Sequence, residues 1–213
     1  VINGTIETLE DGAIDDLPGR GQLLISMAAE TKRLIRLVND LLVLTRADAG
    51  TLNLKLENVN VGELVKSRCE KLTTLAQPRN VAISVDAWNQ VSIQGDVDRL
   101  TQILDNLLEN AIRHAPAGST IRVVVQIEGH EMRCAVIDQG AGIPAQHLPL
   151  IFDRFYRVEP SRNRQSGGAG LGLAIVQSLV NAHGGRIAAE SLEGQGTTMT
   201  FWIPIDGKSH SFA

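Results

Sequence analysis

The sequence predicts an α+β protein: a helical hairpin followed by a two-layer sandwich with helices on one face of a mixed sheet. Three observations carry this expectation. From Leu24 to Thr45 apolar positions return at alternating spacings of three and four, the seam of a coiled coil or helix bundle. Beyond Gly50 the pattern changes to short runs with period two or continuous apolar character, which are strand signals. Between those runs lie longer segments whose apolar residues again share one helical face. A length of 213 residues suffices for one well-buried domain and a smaller unit.

The elements follow in order. Residues 1–50 read as helical. Ile2, Ile6 and Leu9 sketch a short first helix, and "LPGRG" (17–21) a turn. The second helix presents Leu24, Met27, Thr31, Leu34, Val38, Leu41 and Thr45 along its seam, and Gly50 suits its C-terminal cap. One hairpin cannot bury two faces alone, so this unit is expected to dimerise into a four-helix bundle. "LNLKLENVNV" then reads as a strand, "VGELVKSRCEKLTTLA" as a helix, and "VAISVD" and "VSIQG" as strands. Asp96 suits the N-cap of a long helix to about His114, with Leu100, Ile103, Leu104, Leu107, Leu108 and Ala111 as its buried stripe. "IRVVVQIE" and "MRCAVID" make a hairpin around "GHE", and a loop-rich stretch runs from Gln139 to Gly170. A helix to about His183 and the strands "GRIAAES" and "TTMTFWIPI" close the chain.

Composition narrows the function classes. Hydrophobic residues make up 43% and charged residues 21%, as in an ordinary soluble domain. A net charge of -4 argues against a nucleic-acid-binding surface. The longest apolar runs, such as "LLVL" and "VVV", fall far short of a membrane span. Val1–Glu10 lacks the basic start and apolar centre of a signal peptide. Cys69 and Cys134 have no metal-ligand spacing and read as buried, reduced thiols of a cytoplasmic protein. A chain opening on valine is expected to be part of something longer, reaching a membrane only through upstream segments, if at all.

The stretch "SGGAGLG" (166–172) sets four glycines in seven positions ahead of an apolar helix. Bare N–H groups and the helix dipole at such a start attract phosphate. Two familiar designs fail. A dinucleotide fingerprint needs a third glycine where Leu173 stands, and a strand where polar Asn163–Ser166 stands. A P-loop ends in Gly-Lys-Ser/Thr, yet no lysine occurs between Lys71 and Lys208. The same gap removes the lysine of a protein-kinase fold.

Four stretches line up in order: "NLLENAIRH" (106–114), "DQGAGIP" (138–144), "IFDRFYR" (151–157) with "GGAGLGL" (167–173), and "GQGTT" (194–198). In content and order they resemble the catalytic ATP-binding domain of sensor histidine kinases, in the superfamily shared with DNA gyrase, mismatch-repair ATPases and heat-shock chaperones. The hairpin ending "LVNDLLVLTRADAG" resembles the second half of that family's dimerisation and phosphotransfer domain. The resemblance covers the whole chain. It implies a Bergerat-type sandwich at residues 51–207, an incomplete hairpin at 1–50 and a tail at 208–213.

Asn106 and Asn110 lie one helical turn apart and share a face. Asn110 offers a hard amide oxygen suited to Mg²⁺ held mainly by phosphates and water. By resemblance Asn110 is the metal ligand and catalytic, with Asn106 a supporting phosphate or metal contact. Arg113 can neutralise phosphate where the family usually has lysine. His114 either flanks the nucleotide or is a plain surface histidine. Asp138 ends an apolar strand, where a buried carboxylate needs a donor. The resemblance makes that donor the adenine amine; guanine carries a carbonyl there. Gly140 and Gly142 let the backbone approach the base, and Ile143 packs nearby.

Residues 145–170 correspond to an ATP lid. Its aromatics Phe152, Phe155 and Tyr156 are expected to anchor it on the domain, and arginines such as Arg154 to answer phosphate. Arg162 and Arg164 fit a solvated basic loop better. Gly168, Gly170 and Gly172 form the hinge, and the helix starting at Leu171, Gly172 and Leu173 cradles the phosphates. Gly194, Gly196 and Thr197 complete the pocket floor or form a hairpin turn.

Hydrolytic members of the superfamily carry a glutamate four residues before the metal asparagine, where it activates water. Asn106 occupies that place, so the resemblance implies a kinase. The γ-phosphate of Mg-ATP would pass to a histidine, and then to an aspartate of a response regulator. The family's acceptor motif is absent: residues 1–50 contain no histidine, and the five present are His114, His130, His147, His183 and His210. The acceptor is expected upstream of Val1. The alternative from another class is an ATP-binding, dimeric regulatory module without an acceptor of its own.

Overall fold

The computed structural model describes residues 17–87, 91–158 and 169–206. The first helix of the expected hairpin (1–16), Arg162, Arg164, Gly168 and the tail (208–213) lie outside the described residues. The chain divides into two compact units, Val1–Thr45 and Arg46–Ala213.

Helix α1 spans Leu17–Asp48. The turn expected at 17–21 is instead the first turn of this helix. Pro18 is compatible with that, since the first N–H groups of a helix have no intrahelical acceptor and proline has none to lose. Within Val1–Thr45, Leu24, Ile25, Leu34, Ile35, Val38, Leu41 and Leu42 are exposed. The helix stops at Gly50, whose φ of 63° is left-handed. Gly50 N–H donates to the Ala47 carbonyl at 3.0 Å and Thr51 N–H to the Arg46 carbonyl at 2.9 Å, a paired closure of the last turn.

The second unit begins with β1 (Glu57–Asn60), which pairs antiparallel with β3 (Ser92–Gly95). The expected strand from Leu52 is thus shorter than its alternation suggests. Its partner β3 is four residues long, so residues 51–56 find no ladder, and the Lys55 N–H bonds the Asp96 carboxylate instead. Helix α2 (Val61–Ala76) starts at Asn60, whose side chain accepts the Glu63 N–H. Strand β2 (Ala82–Ala87) precedes β3, and α3 (Val97–His114) is N-capped by Asp96, which accepts the Arg99 N–H at 3.1 Å. The stripe Leu100, Ile103, Leu104, Leu107, Leu108 and Ala111 is buried as expected, with Ile112 added.

Strands β4 (Thr120–Glu128) and β5 (Glu131–Asp138) form the hairpin, then come α4 (Gly172–Ala182), β6 (Arg186–Leu192) and β7 (Gly196–Pro204). The main sheet has the order β2-β4-β5-β7-β6, with β2 parallel to β4 and the other neighbours antiparallel. Register puts Val125, Cys134 and Phe201 in one cross-strand row and Val123, Val136 and Met199 in the next. All six are buried, on the face that receives the helices. The alternate rows hold Gln126, Arg133 and Trp202 and, one step along, Val124 with the buried Ala135 and Thr200. Arg186 lies 4.5 Å over the Trp202 ring, and the indole N–H donates to Glu128 at 3.0 Å.

Arg68 of α2 grips Asp105 of α3 with two parallel bonds of 2.8 and 2.7 Å. The pair is partly screened from water and its geometry is bidentate, so it should exceed an ordinary surface ion pair. A double-mutant cycle with Arg68→Ala and Asp105→Ala is expected to give a coupling of about 1 kcal/mol. Strict additivity of the two denaturation shifts would contradict it.

Candidate nucleotide site

The site assembles at one end of the sheet, where β5 and α3 finish and α4 begins. Asp138 is the last residue of β5 and is 8% exposed. Its carboxylate accepts the Gly140 N–H at 2.8 Å and the Thr197 N–H, with Thr197 directly opposite on β7. Burial pushes the Asp138 carboxyl above its ordinary value, while those two N–H groups and the nearby His114 work in the other direction.

The glycines around Asp138 have steric causes. A Cβ on Gly140 would come within 2.7 Å of the His114 carbonyl oxygen, and one on Gly196 within 2.1 Å of the Asp138 carbonyl oxygen. Gly142 has φ +73° and sits against the Leu192 carbonyl. Ile143 N–H donates to Ser191 Oγ, which also contacts the Gly196 carbonyl and Thr197 Oγ1. Ser191 therefore ties the expected floor residue Thr197 to the Gly140–Ile143 turn. Sequence reasoning missed it, because a serine inside an alternating strand carries no distinguishing signal.

Helix α3 supplies the asparagine pair. Asn106 donates through Nδ2 to the Gln102 carbonyl at 2.8 Å, which fixes its amide. Its Oδ1 then lies at the start of α4, only 2.9 Å from where a Cβ on Gly172 would stand. Asn110, one turn on, is half-buried, whereas Arg113 and His114 in the last turn are exposed. Leu171 is buried and caps α4 without a side-chain hydrogen bond, and no acidic residue occupies the helix's first turn. The first N–H groups of α4 thus lack a side-chain cap from Leu171 beside Asn106; Leu173 there is half-buried.

Of the lid, residues 145–158 and 169–170 are described. Phe155 does not act as an anchor: it is 61% exposed, with φ +63°. Its N–H donates to the Gly170 carbonyl at 2.8 Å, and Gly170, at φ +74°, has no room for a Cβ against the Phe155 backbone. Buried Ile151 and the Tyr156 hydroxyl, 2.6 Å from His147 Nδ1, hold this segment instead. Arg154, expected to answer phosphate, is bonded to Asp48. Those two line an open cleft of about 460 Å³ with Phe152, Asp153, Ala174, Gln177 and Ser178. This cleft flanks α4 and shares only Arg154 with the expected site residues.

These parts compose a nucleotide-binding α+β domain built without a P-loop or dinucleotide turn. The chain belongs to the family described as histidine kinase-, DNA gyrase B-, and HSP90-like ATPases, which matches residues 95–207. It is similar to the sensor histidine kinase WalK of Bacillus subtilis (strain 168), with 35% identity over 201 residues, 93% of this chain and 33% of that protein. It is also similar to the sensor protein kinase WalK of Staphylococcus aureus, 35% identical over 207 residues, 96% of this chain and 50% of that protein. The chain therefore spans a third to a half of these relatives' length. Its fold is shared with the Acinetobacter baumannii histidine kinase AdeS (TM-score 0.76, 21% identity, 96% of this chain and 93% of that one). Full-length ShkA in complex with AMPPNP gives a TM-score of 0.77 at 29% identity, covering 90% of this chain and 40% of that one. Among the described residues no helix is long and apolar enough to cross a membrane.

Proposed function

We propose that the chain is the kinase core of a sensor histidine kinase that binds Mg-ATP, delivers the γ-phosphate to a histidine, and passes it to an aspartate of a response regulator. The observation that carries this reading is the buried, strand-end carboxylate of Asp138. It lies beside the end of α3, the helix whose Asn106 meets the start of α4, where no side chain caps the first turn. Asp138 accepts the adenine amine, and Gly140, Gly142 and Ile143 shape the turn beside the base. The first N–H groups of α4 take the phosphates, as helix N-termini do. Arg113 and His114 stand at the end of α3 as further phosphate and nucleotide contacts.

Among the described residues no group of three or more His, Cys, Asp or Glu could hold a metal ion. The donor set fits Mg²⁺ held by phosphate oxygens, water and the Asn110 amide oxygen. When bound, the ion neutralises charge on the transferring phosphoryl group. The chain's own contribution is positioning, since in-line transfer depends on placing the γ-phosphate against its acceptor. Asn106, in place of a glutamate, offers no base to activate water.

The remaining assignments extend the same reading. Helix α1, Leu17–Asp48, belongs to the unit that dimerises, and residues 51–206 make up the ATP-binding domain. The helix pairs with a second copy through its apolar seam, and the kinase core lies on the cytoplasmic side of any membrane.

Calorimetric titration with ATP and GTP, with and without Mg²⁺, tests the proposal. ATP is expected to bind far more tightly than GTP, and to depend on Mg²⁺. Asn110→Asp should disturb the metal dependence while circular dichroism stays native. Equal affinity for the two nucleotides would sink the role of Asp138.

A further inference from the structure

His183 follows the last residue of α4 and is 5% exposed. Its ring makes two hydrogen bonds. Nδ1 lies 2.7 Å from the Leu179 carbonyl and must donate to it, and Nε2 accepts the Asp96 backbone N–H at 3.1 Å. Both bonds are satisfied together only by the neutral ring with its proton on Nδ1. The Asp96 carboxylate in turn accepts N–H groups from Arg99 and Lys55. One chain of bonds thus joins the end of α4, the cap of α3 and the segment before β1.

The location gives this chain of bonds a consequence for the site. Helices α3 and α4 pack against each other along their length, and polar groups mark two separated places on that contact. At one, the Asn106 oxygen lies against Gly172; at the other, His183 holds Asp96. The two places are ten residues apart on α3 and eleven on α4, about 15 Å along either axis. We propose that His183 is a positioning residue: its bond to the Asp96 backbone fixes α4 lengthwise against α3 and so keeps the phosphate-binding start of α4 in register with Asn106 and Asn110. This rests on the nucleotide reading above.

A proton on Nε2 would turn the acceptor into a second donor facing the Asp96 N–H, and the bond would be lost. The charged group facing the ring is the Asp96 carboxylate, with Arg99 behind it. Helix α4 and strand β3 carry no ionisable side chain, and Arg186 of β6 is engaged by Glu131. Burial holds the imidazole below its ordinary value of about 6.5, although the Leu179 carbonyl and the Asp96 charge pull the other way. The sign follows. The bond is intact at neutral pH, its stabilisation declines once pH falls below about 6.5, and it breaks in the folded protein at a lower pH still.

Two substitutions divide the ring's roles. In His183→Gln the side-chain oxygen falls near the place of Nε2, so the bond across the helices is kept and cannot titrate. In His183→Asn the amide nitrogen falls near Nδ1, so only the bond to Leu179 is kept. Mg-ATP affinity would be measured by calorimetry from pH 8 to 5.5 for the three proteins, with folding followed by circular dichroism. The wild type should lose affinity toward acid pH more steeply than His183→Gln, in which Asp138 and the nucleotide titrate unchanged. His183→Asn should bind about tenfold more weakly at pH 8. A nucleotide-free readout accompanies these: in ¹⁵N NMR the amides of Leu171, Gly172 and Leu173 should shift as His183 titrates. Identical pH profiles for the wild type and His183→Gln, or static amides through the titration, would overturn the inference. A wild type that binds no nucleotide at pH 8 would overturn the proposed function, leaving the amide shifts to decide on His183.

Discussion

Asp138→Asn is expected to weaken ATP binding by about 10- to 100-fold and to erase the preference for adenine over guanine. A hydrogen bond to a charged group contributes about 1.5–3 kcal/mol, and each 1.4 kcal/mol is tenfold in affinity. Oδ1 of Asp138 accepts the Gly140 N–H, so an asparagine that keeps its oxygen there presents an NH₂ donor in place of the second carboxylate oxygen. An NH₂ opposes the adenine amine and suits the guanine carbonyl. The same substitution has a signature in stability. Because the carboxyl value of Asp138 is raised in the folded protein, its favourable contribution is full below the unfolded value of about 3.9 and declines as pH rises through the folded one. The variant's stability relative to wild type should therefore increase from pH 4 toward neutrality. Titration calorimetry and denaturation at several pH values check both; unchanged ATP affinity would remove Asp138 from the site.

Gly142→Ala should cost about 3 kcal/mol or more of stability, and nucleotide binding with it. At φ +73° a side chain carries a left-handed penalty of about 1–2 kcal/mol. Its Cβ would also lie 2.1 Å from the Leu192 carbonyl oxygen, a backbone atom that cannot swing away. The turn is stitched to the β6–β7 connection by the Gly194 N–H, which donates to the Ala141 carbonyl at 2.7 Å. Relieving the overlap must pull these two loops apart, displacing Ile143 and Ser191 with them. Gly194 provides the control: its φ is also positive, at +78°, but nothing lies within 4 Å of its Cβ position. Gly194→Ala should cost only the backbone penalty. Equal denaturation midpoints for the two variants would show that the contact at Leu192 carries no weight.

Much of the fold was legible because its signals are local. The stripe of α3, the cap at Asp96 and the stop at Gly50 each depend on residues within a few positions of one another, where periodicity and capping chemistry act directly. The turn expected at 17–21 and the long strand expected from Leu52 do not form for the complementary reason. Proline is as compatible with a helix's first turn as with a loop, and an alternating run becomes a strand only as far as its partner extends.

The sequence by itself determined the α+β class, the family boxes and the residue types available for chemistry. Only the tertiary structure decided what those residues touch. Arg154 meets Asp48 across 106 positions, Asp96 meets His183 across 87, and Ile143 meets Ser191 across 48. Which of these pairs form depends on sheet order and helix packing. The same arrangement made His183 a neutral buried link and left Phe155 outside the core. A side chain's hydrogen bonds, exposure and protonation answer to neighbours in space, and no spacing along the chain encodes those neighbours.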